Sequence, residues 1–308
     1  MRARRVLRDL YAPPPLTPVN LSAPLLVLPD DIAAEGAGLP GAFGLRDVPR
    51  AVRGWAGLGL GGVKVFAYGH DRDGRGTGAL LPGNRMVAAI AEVKGAAPEL
   101  AVTSEVCGCA WTDSGECVLR RADGEIDLAA TYGLMAAMAV RHAEAGADAV
   151  SPTAMLNGAV RAVRAALDET GHHDVGVNPN IAIHTVLYGT FKALMATDPV
   201  AGHRRGLQLE PGRADRDALR QARRWVAEGA DSLTLQPVMT AMDVLAALRA
   251  DQDVPLVAYS TSGEFGALRE LGAAGIAEYH EALRRAGADH ILGFGAELHA
   301  RRLAAPGR

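Results

Sequence analysis

Eight short apolar, β-branched runs alternate with alanine-rich segments of helical period, and three nearly identical junctions join helix to strand. These observations predict an α/β protein whose parallel strands close into a single (β/α)8 TIM barrel. The 308 residues suit one barrel of roughly 250 residues with a short extension. Residues 1–24 are read as an N-terminal arm and residues 25–308 as the barrel.

The strand runs fall at residues 25–28, 62–68, 100–106, 147–151, 175–178, 232–236, 254–259 and 290–294. Between them, residues 157–169 and 215–228 carry apolar positions at helical spacing with arginine on the opposite face, as outer helices of a barrel do. The junctions read Glu144-Ala145-Gly146-Ala147-Asp148, Ala227-Glu228-Gly229-Ala230-Asp231 and Arg285-Ala286-Gly287-Ala288-Asp289. Glycine just past a helix end is the expected terminator, so the repeat marks turns at the bottom of the barrel and is structural rather than catalytic. Residues 69–83, rich in Gly and Asp, are read as a mobile loop.

Hydrophobic residues make up 49% and charged residues 22%, the balance of a folded globular chain. A net charge of −3 with no basic stripe points to small-molecule ligands and away from nucleic acid. The basic start Met1-Arg2-Ala3-Arg4-Arg5 is followed by Pro13, Pro14 and Pro15, which break any signal-peptide core, and no apolar run is long enough to span a bilayer. A cytoplasmic protein without membrane contact is expected.

In such a barrel, ligands sit where strands end, which selects Phe66, Glu105, Cys107, Thr153, Asn180, Gln236, Ser260 and Phe294. All three cysteines lie in one window, Cys107, Cys109 and, after seven residues, Cys117. Three thiolates past a strand end can hold Zn2+ and leave a fourth position open, whereas three unrelated buried thiols are the plain alternative. His70, His172, His173, His184 or Glu105 could add a ligand.

The segment from Thr103 to Thr112 and on to Cys117 resembles the metal-binding segment of zinc-dependent porphobilinogen synthases, also called 5-aminolevulinate dehydratases. Colinear blocks extend the resemblance along nearly the whole chain: Leu39-Pro40-Gly41, Ser151-Pro152-Thr153, Leu156-Asn157-Gly158, Tyr188-Gly189-Thr190-Phe191, Gly202-His203-Arg204-Arg205 and Tyr259 to Phe265. The resemblance implies a barrel enzyme that joins two 5-aminolevulinate molecules into a pyrrole, each ketone held as an imine on a lysine. It also implies a homo-oligomer, dimer or larger, although the arm is short for the family's octamer. It places the two lysine positions at Ala182 and Gln236, and neither side chain can form an imine. It places Lys192, Arg204 and Gln208 around one carboxylate, with Lys192 in place of an arginine. Ser262 would hold the second carboxylate, with Phe294 where a tyrosine is usual. Phe66 and Tyr188 join the substrate pocket. Glu105 and Asn157 stand in place of aspartates, and Ala154 replaces a third.

The chain has only Lys64, Lys94 and Lys192. Lys64 precedes Phe66 by two, so both point to one face of a strand. An inward Lys64 would have a lowered pKa and could act as a relocated nucleophile or base, whereas a lysine at the strand's wet end would do neither; the residues leave both open. With the two imine lysines missing, the reading favoured by sequence is a zinc enzyme of altered, non-Schiff-base chemistry on a small amino- or keto-carboxylate in specialised metabolism. There zinc on the three cysteines, the Lys192, Arg204 and Gln208 anchor, and proton transfer by Glu105 or Lys64 would do the chemistry. A catalytically silent metabolite-binding or partner subunit is the alternative, and authentic porphobilinogen synthase ranks last.

Overall fold

The computed structural model describes residues 4–10, 14–34, 38–200 and 205–305. Its ten strands are β1 (Leu21–Leu28), β2 (Ala42–Gly44), β3 (Gly62–Ala67), β4 (Ala101–Val106), β5 (Ala149–Pro152), β6 (Gly176–Val177), β7 (Asn180–Ala182), β8 (Leu233–Gln236), β9 (Leu256–Ser260) and β10 (His290–Gly293). All the pairings between them are parallel, in the order β6-β5-β4-β3-β1-β10-β9-β8-β7, with β2 added to β1. Parallel strands buried on both faces explain the unbroken apolar runs: β1 has seven of its eight residues buried and β3 all six.

The two ends of that order, β6 and β7, are separated only by Asn178 and Pro179, so the path closes on itself as an eight-stave barrel. Pro179 has no N–H to give, and the ladder changes sides around it. Gly176 and Val177 pair with β5, and Asn180 to Ala182 pair with β8. The predicted strand at 175–178 is therefore only the first half of this stave. The first stave begins at Leu21 rather than Leu25, and the short β2 has no counterpart among the predicted runs.

The described helices are α1 (Arg5–Leu10), α2 (Asp30–Ala34), α3 (Val48–Gly57), α4 (Arg85–Ala96), α5 (Leu128–Glu144), α6 (Ala159–Glu169), α7 (Gly189–Met195), α8 (Ala214–Ala227), α9 (Met242–Asp251), α10 (Ser262–Leu268), α11 (Gly272–Ala286) and α12 (Ala296–Ala304). Helix α6 buries Val160, Val163 and Leu167, and α8 buries Ala218, Ala222 and Trp225, the apolar stripes that periodicity assigns. No described helix is long and apolar enough to cross a membrane.

The three repeated junctions have one architecture. Gly146, Gly229 and Gly287 take φ of 101°, 103° and 119°, which side chains rarely adopt. The aspartate two residues after each accepts an N–H at the start of a neighbouring stave: Asp148 from Val102 at 2.7 Å, Asp231 from Val177 at 2.7 Å and Asp289 from Leu256 at 2.8 Å. The repeat fastens the bottom of the barrel, as its predicted structural role requires.

The loop read as mobile is fastened at several points. The Asp73 carboxylate accepts N–H groups of Arg75 and Thr77 at 2.8 and 3.0 Å, while its backbone joins Trp111 and Asp113. Arg72 donates to the carbonyls of Ala196 and Met195 at 2.6 and 3.3 Å. The loop thus bridges the cysteine segment and the end of α7.

Candidate active site

A cavity opens at the C-terminal mouth of the barrel. Strand parity decides what reaches it, because alternate residues face inward. Phe66, Glu105, Asn180, Ala182, Gln236 and Tyr259 line it from five staves, Asn180 and Ala182 sharing one. Cys107 and Thr153, just past their strands, line it as well. Ser260 and Phe294, selected by the strand-end rule, do not. Ser260 is one residue out of phase and turns to Tyr279 of α11. Phe294 is buried beside Phe265, with ring centroids 6.5 Å apart, in the apolar cluster that also holds Leu26, Phe66 and Leu292.

The Sγ atoms of Cys107, Cys109 and Cys117 lie within 4.8 Å of one another, and all three residues are buried. Strand β4 delivers Cys107, a 3-10 turn over Gly108–Ala110 delivers Cys109, and a further turn returns the chain to Cys117. That second turn is closed by the Thr112 hydroxyl donating to the Glu116 carbonyl at 2.9 Å. It contains Gly115, at φ 69°, where a Cβ would stand 2.4 Å from the carbonyl oxygen of Asp198. Val200 N–H donates to the Ser114 carbonyl at 2.8 Å, so the cysteine loop and the segment after α7 are packed as one rim.

A hydrogen bond from Cys109 favours the Cys107 thiolate. The bond to Cys117, burial and the nearby negative charges of Cys117 and Glu105 together outweigh it, pushing the Cys107 thiol well above its ordinary pKa. Three soft donors held this close, under mutual repulsion once ionised, fit a divalent cation that would relieve it. The proposed histidine ligands do not join the group among the described residues. His184 Nδ1 pairs with the Gln208 side-chain oxygen at 3.0 Å, His70 packs edge-on against Trp111, and His173 lies at 3.3 Å from Asp168. His172 sits beyond the end of α6.

On the opposite wall, Lys192, Gln208, Ser262 and Tyr188 line the cavity; Arg204 lies outside the described residues. Lys192 Nζ is 3.4 Å from Asp198 and 5.7 Å from the Tyr188 ring centroid. The Tyr188 hydroxyl donates to the Ile183 and Gln236 carbonyls at 2.9 and 3.0 Å, and burial raises its pKa well above the usual value. Ser262 Oγ accepts the N–H of Phe191 at 3.1 Å, tying α10 to α7.

Glu264, also fully buried, accepts the N–H groups of Val238 at 2.9 Å, of Met239 and of Thr261, and the Tyr279 hydroxyl at 3.0 Å. It fastens the loops after β8 and β9. Neither Glu264 nor the cavity residue Tyr259 is picked out by the strand-end rule. The available signal was parity, since Val257 and Tyr259 share a face, and the Thr261-x-x-Glu264 spacing of a capping box.

Lys64 is not at a wet strand end. It is 2% exposed, and its Nζ donates to Ser151 Oγ at 2.7 Å and Asn180 Oδ1 at 2.8 Å, with the Phe66 ring centroid 5.8 Å away. Burial lowers its pKa to about 7, against the opposing pull of Glu105. Ala182 and Gln236 face the cavity and bring no amine to it.

The family of delta-aminolevulinic acid dehydratases matches residues 1–302. A delta-aminolevulinic acid dehydratase of Synechococcus elongatus is 32% identical, over 99% of this chain and 97% of the relative. One from Bacillus subtilis is 34% identical over 80% of this chain and 78% of its own. Among solved structures, a delta-aminolevulinic acid dehydratase (porphobilinogen synthase) from Toxoplasma gondii ME49, in complex with the reaction product porphobilinogen, superposes with a TM-score of 0.89. That match has 27% identity and covers 98% of this chain and 89% of that one.

These relatives correct the functional order drawn from sequence. Altered chemistry ranks first there and porphobilinogen synthesis last, on the strength of two side chains. Full-length dehydratase relatives and the match to a product-bound synthase reverse that order, and the expectation that porphobilinogen is not made loses its support. The chain belongs to the delta-aminolevulinic acid dehydratase family.

Proposed function

We propose that this protein is a porphobilinogen synthase, joining two molecules of δ-aminolevulinic acid with loss of water. The observation that carries the reading is the union, in one barrel mouth, of a three-thiol metal group with a polar wall suited to carboxylates, in a chain matched by the family over residues 1–302. Lys192 and Gln208, with Arg204, would hold one substrate carboxylate, and Ser262 the other. Phe66, Phe191 and Tyr259 wall the cavity with rings and thin the water around the reacting atoms. Glu105 stands between the cysteines and Lys64 in the electrostatics of the site, where a carboxylate can take and return a proton.

Cys107, Cys109 and Cys117 would hold Zn2+, which when bound supplies Lewis acidity toward a substrate oxygen or nitrogen. Free thiols suit a reducing compartment, in keeping with a cytoplasmic enzyme. The test is direct: purified protein with zinc and δ-aminolevulinic acid should accumulate porphobilinogen, measured colorimetrically and by mass. No product at any zinc concentration or pH would refute the reading.

A further inference from the structure

We infer that Lys64, buried beneath the floor of the cavity, is the amine that captures the substrate's ketone. The inference rests on the proposed reading in one respect, that the substrate carries a ketone.

Three observations support it. First, elimination: of the three lysines, Lys94 is engaged at the bottom of the barrel by Asp148 at 3.0 Å, and Lys192 is 3.4 Å from the Asp198 carboxylate on the rim. Second, position: Lys64 lines a lower cavity and not the upper one, but its Nζ donates to the side chain of Asn180, which lines the upper one. The amine is thus one hydrogen bond from the substrate space, in the floor beneath Ala182 and Phe66. Third, chemistry: both hydrogen-bond acceptors of Nζ are uncharged oxygens. Burial outweighs the attraction of the Glu105 carboxylate, the charged group that acts on it, and a pKa of about 7 leaves a large fraction as free amine near neutrality.

The neutral Nζ attacks the ketone carbon, forming a C–N bond as the carbonyl electron pair moves to oxygen. That oxygen takes a proton and the nitrogen releases one, giving a carbinolamine. Breaking of the C–O bond then expels the oxygen as water, which carries away both hydrogens of the original neutral amine, and C=N replaces C=O. The Ser151 hydroxyl, which accepts from Nζ and donates to the Asn178 carbonyl at 2.6 Å, is placed to hold the amine's hydrogens during attack.

The experiment is borohydride trapping of the full-length, zinc-supplemented protein with δ-aminolevulinic acid, peptide mapping by mass spectrometry, and a parallel assay of porphobilinogen. A reduced adduct on Lys64 is expected, with Lys94 and Lys192 unmodified. Trapping should rise through about pH 7, and in Asn180→Asp, where a carboxylate faces the ammonium, that rise should move to higher pH. A purely structural Lys64 would give neither result. Porphobilinogen without a Lys64 adduct overturns this inference and leaves the enzyme assignment standing. A Lys64 adduct without porphobilinogen does the reverse. An adduct confined to another lysine, or no adduct and no product, removes the inference in either case.

Discussion

Replacing Lys64 by methionine should stabilise the fold at neutral pH, and by an amount that depends on pH in a calculable way. Burial depresses the Lys64 pKa from 10.5 to about 7, so between those values the unfolded chain binds more protons than the folded one. Stability contributed at this position therefore rises with pH through that window. Holding the site costs roughly 4 kcal/mol at pH 7 and roughly 2 kcal/mol at pH 9 by linkage from those two pKa values. Methionine fills similar volume without a charge, but it takes the Lys64 donor from Asn180 Oδ1, a loss of roughly 1 kcal/mol because Ser151 Oγ, at 3.0 Å, stays within donating distance. The net gain for Lys64→Met at pH 7 is then roughly 3 kcal/mol, shrinking by about 2 kcal/mol at pH 9 whatever the hydrogen-bond loss is worth. Urea unfolding of wild type and variant at the two pH values, followed by fluorescence of the buried Trp111 and Trp225, measures the difference. Titration of the cysteines cancels between the two proteins. A stability difference that is the same at pH 7 and pH 9 would refute a Lys64 that titrates near neutrality in the folded barrel.

The bottom and the mouth of the barrel should respond oppositely to substitution. Asp231→Ala removes the acceptor for Val177 N–H and should cost roughly 1–2 kcal/mol in denaturant unfolding. Turnover by the remaining folded protein should be unchanged, so loss of turnover at full folding would assign the repeat a catalytic role. Cys109→Ser should leave the fold intact yet weaken metal binding more than about tenfold, read by competition with a chromophoric chelator. Equal affinity in wild type and variant would exclude Cys109 as a ligand.

The barrel was legible because its signals are local. Apolar runs, helical stripes and the Gly-Ala-Asp junctions each report on their own few residues, and the junction aspartates then bond staves that the sequence had already set side by side. The cysteine group was legible for the same reason: two successive turns gather all three thiols within eleven residues. What escaped was set by closure and parity. The stave around Pro179 changes partners midway, so a single apolar run could not reveal that it continues to Ala182. Tyr259 rather than Ser260 faces the cavity because one step along a strand reverses the side chain. Glu264 caps its own helix, as the Thr261-x-x-Glu264 spacing allows, but it also binds the loop after β8 and Tyr279 of α11, which no spacing within its own segment discloses.

The same distinction explains why the reaction was misjudged from sequence. Asking whether lysine stands at positions 182 and 236 treats catalysis as a property of two alignment columns, whereas a barrel offers its interior to every stave at once. A carbonyl needs an amine at a place in space, desolvated enough to be neutral, and the chain position that supplies it is free to change if the staves converge there. Lys64 is 87 residues from Ser151 and 116 from Asn180, yet donates to both. Loss of the amine from two walls of the cavity therefore does not by itself remove amine chemistry from the cavity. It shifts the question to whether the floor can supply it, and the trapped peptide will answer that by residue number.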